Sequence, residues 1–205
     1  MPSDINDAII SALNYAFDET IGYTMGGTFN PDTDCSGFVW QCLYDNGFNV
    51  GGSRFDTSNM GSVLEAAEFT KYTYSSGFQL QHGDILMWDE PDPDNPPYHK
   101  GHTFYYGENC FGYTSSDFTN GDGTTGTNAQ ARIEASSDRG RPAPGDQDNG
   151  YGMHPEVWSH PWTFDYTDGH TWYVYRYHGA PVPPAPLDPL DILILKKVID
   201  RNHFM

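Results

Sequence analysis

Asp34-Cys35-Ser36-Gly37-Phe38-Val39 decides how this chain is read. The apolar spacing that follows it, with Phe38 and Cys42 on one side and Val39 and Leu43 on the next, predicts a helix over residues 35–46. Gly47 is placed to take the left-handed position after its end. Cys35 then stands at a helix start, facing unpaired backbone N–H groups and the positive end of the helix dipole. Both favour a thiolate. The small Ser36 and Gly37 leave room for a substrate backbone. Asp34 opposes the effect with an adjacent negative charge, so capping or substrate binding must account for it.

A thiolate nucleophile needs a base, and the base needs a partner to orient it. His102, in Gly101-His102-Thr103-Phe104-Tyr105, begins an expected strand. Glu134, in Arg132-Ile133-Glu134-Ala135, lies on the next one and is placed to face His102, with Asp138 in reserve. Each residue alone is a weak signal, and a helical cysteine is more often a buried structural thiol. Cys42, on an apolar helix face, and Cys110, between aromatic residues, keep that structural reading. Three cysteines cannot all pair within the chain, so a free thiol is expected.

Outward from the cysteine, residues 4–17 carry Ile5, Ala8, Ile9, Ala12, Leu13 and Ala16 at helical spacing, with Ser3 or Asp4 as N-cap. A glycine-rich loop over 22–30 follows. A third helix is expected over 58–69, capped by Thr57 or Ser58. Beyond it, residues 84–88, 102–106, 131–135 and 171–177 are short and rich in apolar, aromatic or β-branched residues, and read as strands. Segments 90–97, 114–128 and 140–152 read as loops. Helices first and strands later imply an α+β domain, with N-terminal helices packed on an antiparallel sheet. It is expected to span residues 1–178. A proline-rich linker over 179–189 and a short apolar helix or tail over 190–205 follow, the latter suited to docking on a protein partner.

The set of motifs resembles the NlpC/P60 papain-like peptidases. The resemblance rests on Tyr23-Thr24-Met25-Gly26-Gly27, on Asp34 to Val39, on Gly83-Asp84-Ile85-Leu86 and on Gly101-His102-Thr103. It extends to the related CHAP and phage amidase groups. It implies a papain-like fold with Cys35 as nucleophile, His102 as base and Glu134 as third residue. It further implies that Tyr23 helps to stabilise the oxyanion and that Asp34 and Ser36 contact the stem peptide. A long insertion, residues 107–130, replaces the family's short hairpin before Glu134. The implied reaction is hydrolysis of an amide in the peptidoglycan stem peptide, or of the bond to the sugar's lactyl group.

Composition narrows the setting. Acidic residues outnumber basic ones 28 to 10, for a net charge of −18. Such a surface does not suit nucleic acid, and an anionic wall repels it at long range. The start of the sequence has no signal-peptide pattern, and no apolar run is long enough for a membrane span. These features favour a component of a phage tail or virion, docked through the C-terminal tail, over a free endolysin released to the host wall. A non-catalytic module of a phage tail on the same fold is the alternative. No metal or cofactor is expected. His99 and His102, spaced i, i+3, and the more distant His154 and His160 lack cysteine partners at zinc spacing, and the acidic loops over 89–95 and 117–122 do not follow the EF-hand pattern.

Overall fold

The computed structural model describes residues 3–17, 21–28, 32–108, 130–141, 151–158 and 169–178. Three helices come first: α1 (Ile5–Phe17), α2 (Cys35–Asp45) and α3 (Thr57–Ala66). Six strands follow: β1 (Phe69–Thr73), β2 (Ile85–Pro91), β3 (His99–Glu108), β4 (Gln130–Arg141), β5 (Tyr151–Trp158) and β6 (Tyr173–Tyr177). They form one antiparallel sheet in the order β1-β6-β2-β3-β4-β5. The domain is therefore α+β, with its helices N-terminal to its sheet.

Strand alternation divides the core. Ile85, Met87, Tyr105, Ile133, Ala135 and Tyr175 share one buried cluster with helix residues Ala8, Ile9, Ala12, Phe38, Val39, Leu43, Met60 and Leu64. This face of the sheet carries the helices. Leu86, Phe104, Tyr106, Trp172 and Val174, the alternate residues, form a second cluster with no helix residue in it. Tyr105 ties the layers together, because its buried hydroxyl donates to the Val39 carbonyl of α2 at 3.0 Å.

Several boundaries differ from the sequence expectation. The cap of α3 is Asp56, not Thr57 or Ser58. Its carboxylate accepts from the Ser58 N–H at 2.9 Å, and the Asn59 side chain answers by accepting from the Asp56 N–H at 3.1 Å. The helix stops at Ala66 rather than 69, because Glu68 turns the chain at φ 70° and Phe69 opens a strand the apolar pattern did not reveal. The expected loop over 90–97 begins inside β2, and that over 140–152 overlaps the end of β4 and the start of β5. Cys110, most of the 107–130 insertion, the acidic loop over 117–122, His160, the linker over 179–189 and the tail over 190–205 lie outside the described residues.

Candidate active site

Everything that positions Cys35 starts with Asp34. Its backbone is extended, and its Oδ1 accepts from the Gly37 N–H at 2.8 Å and the Ser36 hydroxyl at 3.0 Å, which caps α2. The other oxygen accepts from the Gly26 N–H at 2.9 Å and pairs with the Arg54 guanidinium. Arg54 also donates to the Gly27 carbonyl. One carboxylate thus ties the helix start to the loop carrying Tyr23 and to the segment leading into α3. The loop is also held by backbone bonds, from the Thr24 N–H to the Thr33 carbonyl at 2.9 Å and from the Thr33 N–H to the Gly22 carbonyl at 3.0 Å.

This arrangement answers the electrostatic objection to Asp34. Arg54 neutralises the charge next to the nucleophile, so the carboxylate caps the helix without opposing a thiolate. It also reassigns Gly37. A Cβ there would lie 2.7 Å from Arg54 Nε and 2.8 Å from Thr33 Oγ1. The space expected to admit a substrate backbone is filled by this chain's own Arg54 and Thr33.

Cys35 is buried at the first position of α2. His102 is on β3, paired across to Trp88 of β2. Its Nε2 lies 2.5 Å from Glu134 Oε2, and Glu134 is 1% exposed on β4. Strand alternation explains the meeting: Tyr105 pairs with Ile133, which puts His102 and Glu134 on one face of neighbouring strands. Cys35 is close enough to the ring to act on its pKa. Burial acts to lower the imidazole pKa, but the bonds and charges of Cys35 and Glu134 outweigh it and raise it to about 9.

The structure thus brings Cys35, His102 and Glu134 together, with Asp34 and Ser36 buried in the cap beneath them. Tyr23 bridges to Thr33, two residues before Cys35, and is half-buried against the core, with its hydroxyl 3.9 Å from Met25 Sδ. Asp138 is on β4, four residues beyond Glu134, and its side chain lies outside the described set. The residue that sequence reasoning missed is Arg54. A signal existed, since it is the one Lys or Arg before Lys71.

A set of three or more His, Cys, Asp or Glu side chains able to hold a metal does not occur among the described residues. His99 Nδ1 is 2.7 Å from Asp89 Oδ2, and Lys100 engages Asp92 at 2.9 Å and Asp94 at 3.4 Å. Glu90 of the same acidic loop over 89–95 lies 3.1 Å from His170 Nδ1. Nor does any described helix have the length and apolarity to cross a membrane. No family model matches the chain, and no curated protein matches it.

Proposed function

We propose that this protein is a cysteine peptidase of the papain-like NlpC/P60 kind that hydrolyses an amide bond in the peptidoglycan stem peptide. The observation that carries the reading is the Cys35–His102–Glu134 chain of contacts at the N-terminus of α2. A raised imidazole pKa keeps His102 protonated at neutral pH, and an imidazolium beside sulfur is the arrangement that holds a thiolate. The thiolate attacks the carbonyl carbon, and the carbonyl electrons move to oxygen. Backbone N–H groups at the start of α2 and the Tyr23 hydroxyl are the candidate donors to that oxyanion. As the tetrahedral species collapses, the C–N bond breaks and His102 gives its proton to the leaving amine. Neutral His102 then takes a proton from water, whose oxygen attacks the thioester. Cys35 leaves as thiolate, and His102 is imidazolium again. Glu134 holds the ring throughout and offsets its charge.

Peptidoglycan as substrate, and a virion or phage tail as setting, rest on the motif resemblance together with the −18 charge, which makes delivery by a larger particle useful. The test is a digest of purified peptidoglycan analysed by mass spectrometry. New amino and carboxyl ends at one stem-peptide bond, absent with Cys35→Ala, are the expected result. Intact wall after treatment with the wild-type protein sinks the reading and leaves the non-catalytic module on this fold.

A further inference from the structure

A cleft of about 510 Å³ is walled by four separate segments, one of them Asp34, the residue before Cys35 in sequence. Met25 and Gly26 face the cleft from the loop that Asp34 ties to α2, and Thr57 and Ser58 bring in the start of α3. Tyr98 and His99 bring in the turn that leads into His102's own strand. Two features set this cleft apart. Met25 and Tyr98, which line it, are 80% and 64% exposed, and the only other exposed large apolar side chains among the described residues are Ile10 and Tyr44. Tyr98 is also held by its turn. Its N–H donates to the Asn95 carbonyl at 3.0 Å and its carbonyl accepts from the Asp92 N–H at 2.8 Å, while Lys100 closes the same turn on Asp92 at 2.9 Å.

Much of the charge in the cleft is committed, but the buried Arg54 Nε has no hydrogen-bond partner, and His99, which also lines the cleft, engages Asp89 through Nδ1 alone among the contacts described. Arg54 is taken by Asp34 and the Gly27 carbonyl, and Asp56 occupies the positive end of α3 as its cap. The rest of the lining is mainly apolar or uncharged: Met25, Phe55, Pro97 and Tyr98 beside the hydroxyls of Thr57 and Ser58. Such walls suit apolar carbon and amides.

We infer that Met25 and Tyr98 form an apolar lip that grips the peptide portion of the substrate on one side of the scissile bond, with Tyr98 setting specificity for an apolar side chain there. The inference rests on the peptidase reading, and two separate measurements keep their failures apart. Turnover of peptidoglycan by the wild-type protein tests the reading. Binding of a purified disaccharide-tetrapeptide muropeptide to the Cys35→Ala protein, followed by calorimetry, tests the lip. Tyr98→Ser and Met25→Ser, each added to Cys35→Ala, are expected to weaken binding by about tenfold and about threefold, while Tyr98→Phe retains it. In the wild-type background, the rate of Cys35 alkylation by iodoacetamide should not change with Tyr98→Ser, which separates loss of the lip from damage to the nucleophile. Unchanged affinity in both Ser variants, or no muropeptide binding by Cys35→Ala, overturns the lip.

Discussion

On the proposed mechanism the Cys35 sulfur and the His102 ring act as one unit, so removing either is expected to cost nearly the same. Cys35→Ala should abolish wall hydrolysis with an unchanged circular dichroism spectrum, Cys35→Ser should leave a trace, and His102→Ala should be almost as damaging. Glu134→Gln keeps the hydrogen-bonding shape but not the charge, and kcat should fall by about 10–10³-fold. The same pair predicts a pH dependence. The folded pKa of His102, at about 9, is above its ordinary value, so its favourable contribution to stability is complete below about 6.5 and is lost as pH rises through 9. The urea midpoint should therefore fall over that window, and the loss should begin at lower pH in Glu134→Gln, which removes one of the partners that raise the value. An identical alkaline limb in the two proteins would contradict the role given to Glu134. At this scale the sequence was informative where chemistry is local. A cysteine opening an apolar helix and a histidine opening a strand are visible in a few residues each. Arg54 stood out only as the one Lys or Arg before Lys71; its role was hidden because its partner is 20 residues away and nothing around it has a periodic pattern.

Among the elements, helices were read closely because their apolar spacing is long and regular, and α1 and α2 fall within a residue or so of the expected bounds. β1 was missed for a physical reason. It follows α3 with only Ala67 and Glu68 between, without the Gly or Pro that normally marks such a turn. The start of β2 shows the reverse case, in which the motif was visible but its meaning was not. Asp84, in the Gly83-Asp84-Ile85-Leu86 stretch, is completely buried and takes two bonds of 2.7 Å from Arg176 of β6, 92 residues on. It also accepts from the Gln81 N–H at 2.8 Å. Burial raises the Asp84 pKa and Arg176 opposes it. Replacing one partner strands the other, so Asp84→Ala is expected to cost about 3–5 kcal/mol in urea unfolding. Tyr105→Phe, which loses only the bond to the Val39 carbonyl, should cost about 1–2 kcal/mol. A cost for Asp84→Ala no larger than that for Tyr105→Phe would show that the Asp84–Arg176 pair does not hold β2 to β6.

For the molecule as a whole, the α+β class was legible from the change of pattern after residue 69, whereas the strand order was not, since pairing partners leave no mark on composition. Net charge supplies a prediction of its own. At −18 the protein and an anionic wall repel each other, and salt shortens the reach of that repulsion to about 8 Å at 0.15 M. Hydrolysis of intact sacculi is therefore expected to rise several-fold from 10 mM to about 150 mM NaCl, with little change on soluble muropeptides, as followed by released amines. Equal salt profiles for the two substrates would rule out long-range repulsion as a brake on the enzyme.

The sheet order also sets when the fold can be completed during synthesis. β6, the last described strand, sits between β1 and β2, pairing Tyr177 with Phe69 and Tyr175 with Ile85. While the chain is emerging from the ribosome, the nucleophile and its helix appear early, but β1 and β2 have no strand between them until about residue 177. Contacts this distant close slowly. Glu134 also arrives about 100 residues after Cys35. A nascent or prematurely ended chain therefore carries an exposed cysteine without a finished site, along with unpaired strand edges prone to aggregation. On the proposed reading, hydrolysis waits until the chain has been made as far as β6, and nonsense products ending before Tyr173 should be found in inclusion bodies, without hydrolytic activity.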